Sequence, residues 1–83
     1  MFPSDDELIQ RCREGDAKAW TQLLGKYERL VFSIPLNYGL LRHDAADVSQ
    51  MTFIALVDHL DRLRADSNLG AWLATVARRH SFH

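Results

Sequence analysis

Apolar and polar positions recur with the period of an α-helix along much of this chain. The clearest stripe spans residues 20–34, where apolar side chains return at intervals of three and four: Trp20, Leu23, Leu24, Tyr27, Leu30, Val31 and Ile34. Pro35 follows it, and proline removes an amide hydrogen and collides with the preceding turn. The pattern therefore predicts a helix that bends or ends near Pro35, followed by a turn at Asn37-Tyr38-Gly39.

A shorter helix is predicted before this one. Ser4 to Glu7 has the form of a capping box, in which the serine oxygen caps the helix and the glutamate reaches back. A short apolar stripe follows, made of Leu8, Ile9 and Cys12. Gly15 is suited to end this helix and Asp16 to cap the next one. Cys12 is accordingly expected to be a small core residue.

Two more helices are predicted in the second half. The third begins at Asp44 and runs to about Leu63 or Arg64. A polar loop covers residues 64–68, and Ser67 or Asn68 caps a fourth helix that starts at Leu69. No segment shows the sustained alternation of a strand. The predicted fold is all-α and forms one domain over residues 1–83, with a compact three-helix core and a short N-terminal helix packed on it.

The third helix has two distinct faces. A helical projection places Val48, Phe53, Ala55, Leu56, Leu60 and Leu63 on the core side. The opposite side holds Asp47, Gln50, Ile54, Asp58 and Asp61, with Met51 at its edge. One interpretation is a solvated face with a single stray apolar residue, which is common in proteins. The other is a protein-docking face, in which an apolar spot inside an acidic ring meets a basic partner.

The fourth helix also presents two stripes. Leu69, Leu73, Val76 and His80 are predicted to face the core. Trp72, Thr75 and Arg79 form a separate stripe, and an aromatic ring in line with a guanidinium suits contacts with bases and phosphates. The alternative for Trp72 is that most of its indole belongs to the core.

The charged residues are distributed unevenly along the chain. The chain has 83 residues, 47% hydrophobic, with a net charge of −1, which argues against a general polyanion binder. Residues 44–61 contain four acids and no Lys or Arg, whereas residues 67–83 contain no acid but include Arg78, Arg79, His80 and His83. These opposite charges indicate two different partners.

Other sequence features argue against several kinds of site. The single cysteine excludes an internal disulfide and, without a signal-peptide pattern, favours a reducing cytoplasm. No apolar run has the roughly 18 residues of a membrane span. His80 and His83 have no Cys or acid near them in sequence, so no metal site or cofactor is expected. Asp58 and His59 could act as an acid–base pair only beside a nucleophile, and none is evident, so no enzyme is predicted.

Four segments together resemble region 2 of bacterial RNA polymerase sigma factors, and most closely the extracytoplasmic-function (ECF) group. They are DDELIQRCREGDAKAW, LLGKYERLVF, DAADVSQMTF and NLGAWLATVARR. The resemblance implies that the third helix docks on the clamp-helix coiled coil of the polymerase β′ subunit. The family's signature acid and glutamine fall on Asp47 and Gln50. Together with the helical projection, this predicts the contact residues Asp47, Gln50, Met51, Ile54 and Asp58. Met51 departs from the pattern, because the family usually has a glutamate there.

The resemblance also implies that the loop and fourth helix bind the promoter −10 element as melted, single-stranded non-template DNA, with one base flipped out. The implied residues are Arg64, Ala65, Asp66, Ser67 and Asn68 in the loop, and Trp72, Thr75, Arg78 and Arg79 behind it. An anti-sigma factor is a further partner that the resemblance allows. The family's second helical domain, which binds the −35 element, is expected to be absent from this chain.

Two other functions compete with this one. A helix-turn-helix protein would place the last helix in the major groove of duplex DNA, but the 64–68 loop is longer than its usual tight turn. A helical protein-interaction module would not touch DNA at all. A preference for single-stranded over duplex −10 DNA distinguishes the first alternative, and loss of Arg79 without consequence distinguishes the second.

Overall fold

A computed structural model of the chain describes residues 3–64 and 68–82. Its elements are α1 (Asp5–Arg13), α2 (Ala17–Asn37), α3 (Arg42–His59), a 3₁₀ turn (Leu60–Arg62) that continues α3, and α4 (Leu69–Ser81). Every regular element in these described ranges is helical, which confirms the all-α prediction. None of these helices combines the length and apolarity that a membrane span requires.

The core lies between α2, α3 and α4, each of which packs against the other two. Helix α1 covers one side of this bundle, where it contacts α2 and the 3₁₀ turn. The largest fully buried side chains are Leu8, Leu23, Val31, Leu56, Leu69 and Leu73. Burial of each such side chain stabilises the fold by about 1.5–3 kcal/mol before the entropy of ordering is subtracted. The predicted three-helix core with an added N-terminal helix is confirmed.

The predicted helix starts at Ser4, Asp16 and Asn68 are confirmed by their hydrogen bonds. Ser4 Oγ accepts from the Glu7 amide at 3.2 Å. Asp16 Oδ1 accepts from the Lys18 and Ala19 amides at 2.9 and 3.4 Å, and Asn68 Oδ1 accepts from the Ala71 amide at 3.0 Å. Each side chain satisfies amides that the first turn of a helix leaves without partners.

The start of α3 differs from the prediction. The helix begins at Arg42 rather than Asp44, and Leu41 occupies the N-cap position with no side-chain cap. The preceding turn explains the shift: Gly39 has φ of 87°, and the Leu40 amide donates to Pro35 O at 3.1 Å. The chain thus leaves α2 in a compact turn and re-enters a helix at once. Asp44 lies in the first turn, where its charge favours the helix dipole.

The predicted core side of α3 is only partly right. Val48, Leu56, Leu60 and Leu63 are buried, but Phe53 and Ala55 are half-buried, and Ala45 and Thr52 are buried instead. Thr52 is tolerated there because its hydroxyl donates to Val48 O at 2.8 Å. In α2, the stripe is likewise incomplete, since Leu24 and Leu30 stay 37% and 38% exposed.

The predicted core stripe of α4 is wrong at its C-terminal half. Val76 and His80 are half-buried, whereas Ala77 and Ser81 are buried. Ser81 is satisfied by a hydrogen bond from its hydroxyl to Ala77 O at 2.8 Å. The last turns of α4 therefore face the core with small side chains, one residue further round the helix than the apolar pattern indicated.

The start of α1 is held on α2 by polar contacts. The Asp5 carboxylate accepts from Lys26 Nζ at 2.5 Å and from the Tyr27 hydroxyl. Burial of the phenol, together with the hydrogen bond to Asp5 and the charge of that carboxylate, raises the pKa of Tyr27. The protonated phenol is thus favoured in the folded protein over the phenolate.

We expect the free energy of unfolding to fall as pH rises above about 10, the ordinary pKa of tyrosine. Because the pKa of Tyr27 is raised in the folded state, the unfolded chain loses that proton first, and stability present below pH 10 is lost above it. Urea unfolding from pH 8 to 11 should show a weaker decline in Tyr27→Phe than in the wild type. Tyr38→Phe, at an exposed tyrosine, should keep the wild-type decline. Equal curves for wild type and Tyr27→Phe would refute this role.

Candidate functional site

The outward side of α3 carries all five residues that the sequence predicted to meet a protein partner. Asp47, Gln50, Met51, Ile54 and Asp58 are exposed. We call this set the acidic face. Ile54 is 54% exposed. An isoleucine is usually found on the side of a helix that faces the core, so its position among polar residues on the outward side is unusual. An apolar side chain thus lies in water between carboxylates.

The apolar part of this surface is larger than the sequence indicated. Val57, which the helical projection assigned to neither side, is 55% exposed. It lies in a groove between α2 and α3 whose walls are Trp20, Leu24, Gln50, Phe53, Ile54 and Val57. Leu24 had been assigned to the core stripe of α2. Only the packing of α2 beside α3 brings these side chains together.

A second groove continues along the same two helices and contains a polar group. Its walls include Phe32, Ser49 and Phe53. Ser49 Oγ is buried and has no hydrogen-bond partner within the described residues. A buried hydroxyl in this condition is unusual, and a partner that fills the groove could satisfy it.

The residues of α4 that were predicted to contact nucleic acid differ in how exposed they are. Thr75, Arg78 and Arg79 are exposed. Trp72 is half-buried and packs against the core, which agrees with the interpretation that most of the indole is structural. His59 lies on it with ring centroids 5.3 Å apart and an angle of 22° between the planes. His59 is therefore a packing partner of Trp72, a contact that sequence reasoning missed.

The predicted base-reading loop is described only at its two ends. Arg64 is exposed at one end. Asn68 is exposed at the other, where its Oδ1 caps α4 through the Ala71 amide. Ala65, Asp66 and Ser67 lie outside the described residues. The start of α4 adjoins this end of the loop, and its first turn contains no acidic side chain.

The two surfaces differ in charge and belong to different helices. The acidic face contains Asp47 and Asp58 on α3, and the last turn of α4 contains Arg78, Arg79 and His80. Across residues 3–64 and 68–82, no group of His, Cys, Asp or Glu side chains has the arrangement of a metal site. His83 lies outside those residues. The geometry suits two binding surfaces for partners of opposite charge.

A comparison with protein families matches residues 23–82 to the family described as Sigma-70 region 2. The match begins within α2 and ends after α4, so it contains the acidic face, the α4 stripe and every wall residue of the α2–α3 groove except Trp20.

Relatives of this chain are named as ECF RNA polymerase sigma factors. The chain is 31% identical over 74 residues to the ECF RNA polymerase sigma-E factor of Haemophilus influenzae. It is 35% identical over 74 residues to the ECF RNA polymerase sigma-E factors of Salmonella typhimurium strain LT2 and Escherichia coli K12. These alignments cover 89% of this chain and 38–39% of each relative. The chain thus spans well under half the length of these relatives.

Proposed function

Because the chain belongs to the Sigma-70 region 2 family, we propose that it binds the core RNA polymerase through α3 and single-stranded −10 promoter DNA through α4 and the segment before it. In this role it would direct transcription initiation by binding and would catalyse no reaction itself. The relatives named as RNA polymerase sigma factors support the first half of the proposal.

The observation that carries the polymerase contact is the exposed apolar strip of Ile54 and Val57 between Asp47 and Asp58. Protein interfaces typically have an apolar centre and a polar rim. A rim of carboxylates selects a partner with Lys or Arg side chains and repels an acidic one. Such a partner fits the coiled coil of the β′ subunit that the family resemblance implies. An anti-sigma factor would compete for this surface if it used the same complementarity.

Asp47→Ala combined with Gln50→Ala is expected to weaken binding to the polymerase core by about 1–3 kcal/mol, because both exposed side chains would lose contacts in a desolvated interface. Binding can be measured by titrating the labelled chain with core enzyme. The fold should be retained, since neither side chain takes part in a described core contact. Unchanged affinity in the double variant would refute the assignment of α3 as the helix that docks on polymerase.

Asp6→Ala with Gln10→Ala provides a matched control, because it also removes one acid and one amide. It also replaces exposed polar side chains on a helix, but on α1 rather than on the acidic face. We expect polymerase binding by this control to stay near the wild-type value at moderate salt. A loss equal to that of the α3 variant would mean that net charge, rather than the acidic face, governs binding.

The DNA contact is supported by the exposed Arg78 and Arg79 on a helix whose first turn has no acid. Guanidinium groups bind phosphate oxygens, and the free amides at a helix start favour anions. Asn68 has its Oδ1 engaged as the cap of α4, so a base contact would use its amide nitrogen. We propose that Ser67 and Asn68 hold the flipped base, with Arg64, Ala65 and Asp66 completing the loop.

Arg79→Ala should weaken binding to every −10 sequence and reduce the slope of log affinity against log salt by roughly 0.7, the value for one phosphate contact on a single strand. The measurement is a titration of single-stranded −10 oligonucleotides with the chain bound to polymerase core. Replacement of Asn68 should instead change the preferred base at one position. A loss that is equal for every base at every position would mean that the loop is not a base pocket.

The same titration separates the competing functions. A helix-turn-helix protein would prefer duplex over single-stranded DNA, whereas the proposal requires the reverse. A protein-interaction module without DNA binding would leave Arg79→Ala indistinguishable from the wild type. The 3₁₀ turn ends at Arg62 and α4 begins at Leu69, a separation in sequence longer than the 3–4-residue turn of a helix-turn-helix.

A further inference from the structure

Arg13 makes the longest-range polar contact described in the chain, across 47 to 50 residues of sequence. It is the last residue of α1. Its Nε and Nη2 atoms donate to Leu60 O at 3.1 and 2.9 Å, and Nη2 also donates to Leu63 O. One guanidinium thus joins the end of α1 to the first residue of the 3₁₀ turn and to the residue that follows the turn.

The chemistry of a helix end explains this contact. The last carbonyls of a helix have no amide partners within it, and they carry partial negative charge. A planar guanidinium can donate to two of them from one rigid fork, whereas the three donors of an ammonium group rotate about a single atom. Arg13 therefore caps the C-terminal end of the α3 and 3₁₀ segment from another helix.

This contact fixes the residue that precedes the proposed DNA loop. Leu63 has left the helical conformation, with φ of −69° and ψ of 134°. Its side chain is 7% exposed in the core, and its carbonyl accepts from Arg13. Leu63 is thus held by both its side chain and its backbone, one residue before Arg64.

Helix α1, which carries Arg13, is held against the bundle at its other end and along its length. At the opposite end of α1, Asp5 is bound by Lys26 and Tyr27 of α2. Between the ends, Leu8, Ile9 and Cys12 are buried against the bundle. Tyr27 also lies near the other flank of the loop, because a Cβ added at Gly70 would be 3.3 Å from its Cε1.

We propose that Arg13 is a positioning residue for base recognition: it holds Leu63, the residue immediately before the proposed base-reading loop, although it lies on a helix outside the proposed DNA surface. This inference rests on the proposed function of that segment. Selectivity for a flipped base depends on the placement of the groups that read it, so loss of the contact should loosen selectivity before it affects docking on polymerase.

The first measurement concerns the segment itself and requires no DNA. Amide hydrogen exchange is followed in the full chain for wild type, Arg13→Ala, Arg13→Lys and Arg11→Ala. Arg11 is the matched control, because it lies on the same helix but pairs locally with Asp16 at 3.0 Å. We expect exchange at the Leu63 amide, which donates to Leu60 O, to rise about tenfold in Arg13→Ala, relative to core amides of α2, and to stay unchanged in Arg11→Ala. Equal exchange in wild type and Arg13→Ala would overturn the proposal.

The second measurement concerns selectivity. Single-stranded −10 oligonucleotides that differ at one base are titrated against the chain bound to polymerase core. We expect the ratio of best to worst base to fall roughly three- to tenfold in Arg13→Ala, with partial recovery in Arg13→Lys and no change in Arg11→Ala. A role confined to stability would lower all affinities together and leave this ratio intact, which would contradict the proposal.

The two measurements also separate this inference from the proposed function. If the wild-type complex shows no base preference, the proposed function of the loop is wrong and Arg13 has no selectivity to support. If the wild type is selective and Arg13→Ala is equally so, the proposed function stands and the role of Arg13 is refuted.

Discussion

Leu56→Ala is expected to lower the free energy of unfolding by about 2–5 kcal/mol. Leu56 is fully buried near the C-terminal end of α3, where it contributes to the core shared with α2 and α4. Truncation removes favourable burial and leaves a cavity that the surrounding helices fill only in part. A domain of this size has a total stability of about 4–12 kcal/mol, so the variant should lose a large share of it. Urea unfolding monitored by circular dichroism measures the change.

Val57→Ala is the matched control for this prediction. The two positions are adjacent on α3, but Val57 is 55% exposed. Its truncation should change the free energy of unfolding by no more than about 0.5 kcal/mol. Similar losses in the two variants would contradict the assignment of opposite sides of α3 to the core and to the groove.

Ile54→Lys is expected to reduce binding to polymerase core by about 2–4 kcal/mol, which corresponds to roughly 30- to 1000-fold in affinity. Ile54 is the exposed apolar centre of the acidic face, so the lysine would lose apolar contact and repel a basic partner. Ile54→Asp should also weaken binding, but by less, because its charge suits that partner. Titration of the labelled variants with core enzyme measures both effects.

Leu41→Lys controls for the effect of the charge alone. Leu41 is 65% exposed at the start of α3, roughly 20 Å along the helix from Ile54. Its replacement should leave polymerase affinity nearly unchanged. If Ile54→Lys binds as well as the wild type, or if Ile54→Asp is weaker than Ile54→Lys, the proposed acidic docking face for a basic partner is wrong.

Local sequence was sufficient to predict the helices and most of their ends. Asp16 caps α2 where predicted, and Asn68, one of the two caps that the sequence offered for α4, caps that helix, because a short side-chain oxygen satisfies amides within three residues of itself. The two-sided character of α3 was also predictable, since Leu56 and Ile54 point in different directions on any α-helix. The fold class and the acidic face both follow from such short-range rules.

The start of α3 was predicted wrongly because the pattern of apolar and capping residues does not show how the preceding turn closes. Asp44 is a good N-cap residue, yet the helix begins at Arg42. The hydrogen bond from the Leu40 amide to Pro35 O closes the preceding turn early. Capping preference is worth about 1 kcal/mol, which a well-formed turn and the packing beyond it can exceed.

Other features depend on which helices become neighbours, and the tertiary structure alone decided them. Ala77 and Ser81 face the core because small side chains fit the space that the other helices leave at the end of α4. Leu24 and Val57 share a groove only because α2 lies beside α3. Arg13 reaches Leu60 across 47 residues of sequence. Periodicity tells which side of a helix is apolar, but contacts between distant segments follow from how whole helices pack, and a pattern along one helix does not contain that information.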